Sequence, residues 1–252
     1  MFTKFLRSSL VAALMFGAAS SVVSAKDLAV GVDTSFMPFE FKQGDKFVGF
    51  DIDLWAAIAK EIKVPYQIKP MDFNGLIPAL QTGNLDVVIS GMSIKPERQK
   101  VIDFSAPYYN SGLAVMVRSD NKSIHGVTDL TGKVIAAKTG TVGVDWIKKT
   151  LNPTSDNLRL FPNVDEAYME LETGRVDAAI HDAPNVLYFA HTAGKGKVKV
   201  VAEMAGDDKY GIGFPKGSPL VAKVNVALEH LKANGGYAKI YKKWFGTLPP
   251  KN

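Results

Sequence analysis

The chain alternates short β-type runs with helical segments, and this order constrains the fold more than any other feature. Leu28 to Val32 predicts a buried strand, and Asp51 to Ile62 predicts a helix with its apolar residues on one face. A strand at 66–69, a helix at 74–80 and a strand at 86–89 follow. Strands that alternate with helices in this way predict a mostly parallel sheet flanked by helices.

The same order begins again in the second half of the chain. Strands are predicted at 133–137, 158–161 and 178–180, and they alternate with helices at 142–150 and 164–172. This second set is large enough for a small lobe of its own. We therefore predict an α/β fold of two lobes, in which each lobe is a mostly parallel sheet flanked by helices and two strands form the hinge.

The lobe boundaries follow from the path that the chain must take. Residues 113–118 are extended, residues 209–214 are strand-like, and helices at 220–233 and 238–244 follow. We expect the chain to leave the first lobe near Tyr109 and to return near Lys209, so that two short parallel crossings form a hinge beside a cleft. The resulting division is 26–109 and 211–252 for lobe 1, 113–206 for lobe 2, and about 109–112 and 207–210 for the hinge.

The first 25 residues have the features of a secretory signal peptide. Lys4 and Arg7 are followed by an apolar run at 10–19 and by the small-residue site Val23-Ser24-Ala25. We predict cleavage after Ala25 and a mature protein in the periplasm. The alternative is an uncleaved membrane anchor, which the shortness of the apolar run disfavours.

Composition excludes several classes of protein. The chain has no cysteine, so disulfide bonds and lipid attachment to a cysteine are excluded. The net charge is only +5 and basic residues are dispersed, which argues against nucleic-acid binding. No metal or phosphate-loop motif is present. We expect a monomer that has no metal or cofactor and is not an enzyme.

Polar and aromatic residues follow the predicted strands, where open α/β sheets bind their ligands. The candidate ligand-binding residues are Asp33, Phe36, Phe73, Ser90, Gly91, Ser93, Arg98, Lys138, Thr141, Val142, His181 and Asp182. Each also has a structural interpretation, such as core packing for the phenylalanines, a turn at 139–141 or an exposed helix start around Arg98.

The combination of these residues suits a free amino acid. A guanidinium such as that of Arg98 binds an α-carboxylate with two parallel hydrogen bonds, and the backbone N–H groups of a helix start at 139–142 add to it. Asp182 is a candidate for the α-ammonium group, and the rings of Phe36 and Phe73 suit the apolar stem of the ligand.

Asp33 and Lys138 together suit an uncharged amide head. A carboxylate accepts from the amide NH2 and an ammonium group donates to its carbonyl. Glutamine therefore fits best, while histidine, arginine, lysine and glutamate remain alternatives. A secreted dehydratase on the same scaffold is a further alternative, with Glu97, Lys138 and His181 as candidate acids and bases.

Several segments resemble the polar-amino-acid solute-binding proteins of bacterial ABC importers, and in particular the members that bind glutamine. The segments are 32–41, Gly49-Phe50-Asp51-Ile52-Asp53-Leu54, Gly91-Met92-Ser93 with Glu97-Arg98, 103–105, 138–141, 181–185 and 241–246. In their order along the chain they cover essentially all of the predicted mature protein. The resemblance implies the two-lobed periplasmic-binding-protein fold, hinge closure around an L-amino acid and delivery to an ABC permease in the inner membrane.

The resemblance also implies roles for individual residues. Arg98 and backbone N–H groups near Ser93 and Val142 would hold the α-carboxylate. The α-ammonium would be held by Asp182 with the Gly91 carbonyl and the Ser93 hydroxyl, while His181 would line the closed cleft. Two positions depart from the family pattern: Ser93 stands where threonine is usual, and Val142 stands where glycine is usual.

Overall fold

A computed structural model describes residues 26–250, and these form two five-stranded sheets with helices on both faces. The predicted signal peptide at 1–25 lies outside the described residues. Within residues 26–250, no helix is both long and apolar enough to span a membrane.

The elements are as follows in chain order. The strands are β1 (Leu28–Val32), β2 (Ser35–Phe36), β3 (Glu40–Gln43), β4 (Lys46–Val48), β5 (Tyr66–Pro70), β6 (Val87–Val88), β7 (Ile102–Phe104), β8 (Tyr109–Arg118), β9 (Ile135–Lys138), β10 (Leu158–Phe161), β11 (Ala178–Asp182), β12 (Val198–Tyr210) and β13 (Gly213–Pro215). The helices are α1 (Phe50–Ile62), α2 (Phe73–Gln81), α3 (Pro96–Gln99), α4 (Val142–Leu151), α5 (Val164–Glu172), α6 (Ala183–His191), α7 (Leu220–Ala233) and α8 (Gly236–Phe245), with a 3-10 turn at Val127–Leu130.

The first sheet has the strand order β5-β1-β6-β13-β7. Strand β1 pairs in parallel with β5 and β6, whereas β13 is antiparallel to β6 and β7. The second sheet has the order β10-β9-β11-β8-β12, with β9 parallel to β10 and β11, and β8 antiparallel to β11 and β12. The two-lobed α/β fold is therefore as predicted, and each mostly parallel sheet includes one reversed strand, β13 in the first sheet and β8 in the second.

The path of the chain between the two sheets sets the directions of β8 and β12. Strand β8 leads from the first sheet into the second, and β12 leads back, so the two must run in opposite directions. They pair from Arg118 with Val198 to Tyr109 with Tyr210. The two crossings are thus antiparallel neighbours, and the expectation of two parallel crossings was wrong. The small sheet formed by β2, β3 and β4 was also not predicted.

Apolar side chains are buried on both faces of each sheet. Trp55 of α1 and Leu228 of α7 pack in the core on one face of the first sheet, and Leu76 of α2 packs on the other face. In the second sheet, Tyr168 of α5 is buried on one face and Ile147 of α4 on the other. Because helices occupy both faces, polar groups can converge only at the ends of the strands.

Candidate functional site

All twelve candidate residues line a single cavity between the two sheets, which contains about 310 Å³ of empty space. The first sheet contributes residues that follow β1 and β6, together with the start of α2 and the short helix α3. The second contributes the end of β9, the start of α4 and the end of β11. The structure therefore brings together every residue that the strand ends predicted.

At one end of the cavity, a buried ion pair joins the two sheets. The Lys138 ammonium donates to the Asp33 carboxylate, and the two side chains are only 2% and 3% exposed. The other Asp33 oxygen accepts from the backbone N–H of Thr34 at 2.7 Å. Burial raises the pKa of Asp33, and the charge of Lys138 opposes that rise. The pair thus presents a negative and a positive group side by side.

Arg98 lies on α3 at a second position in the cavity. Its guanidinium donates to the carbonyl oxygens of Ser93 and Gly140, both at 2.9 Å, and so also bridges the two sheets. Burial lowers the pKa of Arg98, and the charge of Asp182 opposes this. The Phe73 ring lies 5.3 Å from Arg98 Cζ, within cation–π distance.

The first turn of α4 begins beside Arg98. Thr141 precedes the helix, and its hydroxyl donates to the Lys138 carbonyl at 2.8 Å. Val142 is the first residue of the helix and is partly exposed. The first N–H groups of a helix have no partner within it, so this end of the cavity favours an anion.

Asp182 is the last residue of β11, and one of its carboxylate oxygens has no hydrogen-bond partner. Its Oδ2 accepts from the hydroxyl of Tyr210, while its Oδ1 is buried without a hydrogen bond. Burial, followed by the charge of Asp208, raises the pKa of Asp182 to about 7. An unpaired buried carboxylate oxygen is costly unless a donor reaches it, so this position favours a cation.

His181 is an uncharged member of the cavity wall. Its ring is buried, and neither nitrogen has a hydrogen-bond partner. Burial and the positive charge of Lys138 lower the pKa of His181 to about 3, so the imidazole is neutral at physiological pH.

Phe36 and the backbone of Gly91 form another part of the cavity wall. Phe36 is stacked on Phe39 with ring centroids 4.9 Å apart, and its ring also packs against His181 at 5.4 Å. Gly91 has a φ of +47°, and a Cβ at this position would lie 2.2 Å from Phe36. Glycine is therefore required here both by the backbone conformation and by the adjacent ring.

Further contacts join the two sides of the cleft around the cavity. The side-chain amide of Asn185 donates to the Met37 carbonyl at 2.6 Å and accepts from the Tyr168 hydroxyl at 2.6 Å. Lys95 forms an ion pair with Asp145 on the rim. These contacts show that the cleft is closed in this structure.

Four residues around the site were given no role by the sequence analysis. Tyr210 and Asn185 hold groups of the site, while Glu40 and Asp51 are completely buried behind it. Glu40 and Asp51 each lie between apolar residues in the sequence. This pattern could have indicated their importance, because fully buried acids are rare.

Two α/β lobes that close over a cavity lined by both acidic and basic groups define a two-lobed solute-binding protein. Residues 28–247 match the bacterial extracellular solute-binding proteins, family 3, and the chain belongs to this family.

Several amino-acid-binding proteins are similar to the chain. The arginine-binding extracellular protein ArtP of Bacillus subtilis is 34% identical over 226 residues, which cover 87% of this chain and 86% of ArtP. An ancestral arginine-binding protein, 44% identical with a TM-score of 0.83, has been solved with arginine (87% of this chain and 98% of that one) and with glutamine (88% and 99%). An ancestral amino-acid-binding protein described as a precursor of cyclohexadienyl dehydratase is 40% identical, with a TM-score of 0.78 and coverage of 87% and 95%.

Proposed function

We propose that this protein captures one free L-amino acid, glutamine in preference to others, by closure of its two lobes, and that it delivers the amino acid to an ABC importer in the inner membrane. The observation that carries the proposal is the distribution of charge in the cavity. Arg98 and the start of α4 suit a carboxylate, and the free oxygen of Asp182 suits an ammonium group.

The preference for glutamine rests on the Asp33–Lys138 pair. Two unit charges about 4 Å apart interact by roughly 4 kcal/mol at an effective dielectric constant of 20. A cationic side chain gains this much from Asp33 and loses a similar amount to Lys138, and an anionic side chain meets the reverse. A neutral amide faces no such conflict, since it donates to Asp33 and accepts from Lys138.

Relatives support an amino-acid ligand without distinguishing glutamine from arginine. ArtP is described as arginine-binding, and the ancestral arginine-binding protein has been solved with either amino acid. In this chain, the ammonium group of Lys138 at the end of the cavity opposes a guanidinium ligand. Glutamine therefore remains the better match to these particular side chains.

Closure is proposed to take place about the two crossing segments, at about 109–112 and 207–210. These residues form the end of the β8–β12 ribbon nearest the first sheet. Ligand groups that touch both lobes favour the closed form by the difference in their affinity for the two forms. The proposed site of action is the periplasm, as the predicted signal peptide and the extracellular description of the family suggest.

A thermal-shift screen of the protein against the twenty amino acids tests the proposal. Glutamine should give the largest rise in melting temperature, and calorimetry should show one glutamine per chain. Stabilisation by arginine, lysine or histidine alone would reject the ligand assignment. Mass spectrometry of the ligand recovered from the complex should show unaltered glutamine, whereas a converted product would favour the dehydratase alternative.

A further inference from the structure

Two buried carboxyl groups lie behind the cavity wall. Glu40 belongs to β3 and Asp51 to the first turn of α1, and both residues are 0% exposed. Within residues 26–250, no ion pair reaches either of them. Two adjacent carboxylates without a cation would be strongly destabilising in such an environment, so their hydrogen bonds and protons require an explanation.

One oxygen of Glu40 holds the segment that follows β6. The Ser90 hydroxyl donates to Glu40 Oε1 at 2.5 Å. The same hydroxyl oxygen accepts from the backbone N–H of Asp33 at 3.0 Å. Glu40 is thus connected, through a single serine, to the residue that faces Lys138 in the cavity.

One oxygen of Asp51 holds the next residue of the same segment. Asp51 Oδ2 accepts from the backbone N–H of Gly91 at 2.8 Å and from the Tyr108 hydroxyl at 2.7 Å. The Tyr108 hydroxyl oxygen also lies 3.1 Å from the Gly91 nitrogen, which donates to it. Both oxygens that face the cavity wall are therefore satisfied.

The second oxygen of each carboxyl group, Glu40 Oε2 and Asp51 Oδ1, is buried and has no hydrogen-bond partner. The backbone N–H of Asp51 donates to the Phe39 carbonyl at 2.9 Å, which holds the start of α1 against the residue that precedes Glu40. Burial, together with the charges of Asp51 and Asp33, raises the pKa of Glu40 well above its usual range. Burial raises the pKa of Asp51 to about 6. Burial thus disfavours the charged form of both groups, and for Glu40 the charge of Asp51 adds to this effect.

We propose that Glu40 and Asp51 share one proton as a carboxylic acid–carboxylate pair, and that this pair positions Asp33, Ser90 and Gly91 in the wall of the ligand cavity. This proposal rests on the proposed function, in which the cavity binds a free L-amino acid. With the proton, the two groups attract each other and hold neighbouring residues at a fixed separation. Without it, two negative charges would repel and displace the segment that lines the cavity.

Infrared spectroscopy tests the shared proton directly. At about pH 8, above the pKa of about 7 of Asp182, the parent protein should show the carbonyl band of one protonated carboxylic acid. Glu40→Gln should remove that band from the difference spectrum. Asp45 lies in an exposed turn, so Asp45→Asn serves as the control and should leave the carbonyl band in place. An unchanged band in Glu40→Gln would overturn the shared proton.

Ligand affinity tests the positioning role. Glu40→Gln can still donate to Asp51 and accept from Ser90, so glutamine affinity should stay within about threefold of the parent. Glu40→Ala removes both bonds and should weaken binding about tenfold, which corresponds to the loss of roughly one buried hydrogen bond. Affinity equal to the parent in a folded Glu40→Ala protein would overturn the proposal.

The amide NMR shifts of Asp33 and Gly91 give a readout that needs no ligand. They should be kept in Glu40→Gln and displaced in Glu40→Ala. If Glu40→Ala does not fold, the Glu40→Gln spectra decide, because displaced shifts there would contradict positioning by a neutral hydrogen-bonding group. If the parent binds no amino acid, the proposed function fails while the infrared and NMR results still judge the pair.

Discussion

Replacement of Asp33 by asparagine should change the selectivity of the site, because it leaves the Lys138 ammonium group without its buried counter-charge. Both side chains are at most 3% exposed, and the pair joins the two lobes. Removal of one partner from a buried pair costs about 3–5 kcal/mol. An asparagine oxygen can still accept one hydrogen bond, so we take the lower value of about 3 kcal/mol. Since the pair joins residues of the two lobes, we expect this cost to appear in ligand affinity as a loss of roughly 100-fold for glutamine.

Glutamate should respond differently to the same substitution. Its side-chain carboxylate is repelled by Asp33 and attracted by Lys138. Asp33→Asn removes the repulsion, and the glutamate carboxylate can replace the lost counter-charge of Lys138. The ratio of glutamine to glutamate affinity should therefore fall by at least about tenfold in calorimetric titrations.

The exposed pair between Lys95 and Asp145 provides a matched control for this experiment. It also joins the two sides of the cleft, but its side chains are 18% and 70% exposed. Exposed pairs contribute about 0–1 kcal/mol, so Asp145→Asn should weaken glutamine by less than about fivefold and leave the ratio of the two affinities unchanged. An unaltered ratio in Asp33→Asn would refute the role of Asp33 at the side-chain end of the ligand.

Three further predictions concern the rest of the site. Arg98→Met should weaken amino-acid binding by more than about 100-fold in calorimetry while thermal unfolding changes little, and normal binding would disprove the carboxylate assignment. An ammonium group binds the ionised form of Asp182, so ligand binding should lower the pKa of Asp182 from about 7. The affinity should therefore decrease as the pH falls below about 7, and binding near that pH should release a proton. Titrations in buffers of different ionisation enthalpy measure that proton, and its absence would contradict the assignment of Asp182. Asn185→Ala removes the bond to the Met37 carbonyl, which should reduce affinity about fivefold to tenfold with the far-ultraviolet circular dichroism unchanged; equal affinity would show that this bond does not stabilise closure.

Local sequence patterns were sufficient for most elements and for the members of the cavity. The helix at 164–172 and the strand at 158–161 have the predicted bounds. In the helix, the apolar periodicity reflects burial of one face against the second sheet. The candidate residues also converge as expected, since the ends of parallel strands lie at a common edge and polar residues that follow them share one location. Their role in ligand binding remains a proposal.

Only the tertiary structure decided the direction of the returning strands and the partners of the buried acids. Strand β12 is antiparallel to β8 because the chain must run back between the lobes, and no local pattern records that path. Tyr210 meets Asp182, and Glu40 meets Ser90, from positions 28 and 50 residues apart in the chain. Hydrogen bonds of this kind depend on distances that are set when the whole chain packs, whereas a strand or helix depends on neighbours within a few residues.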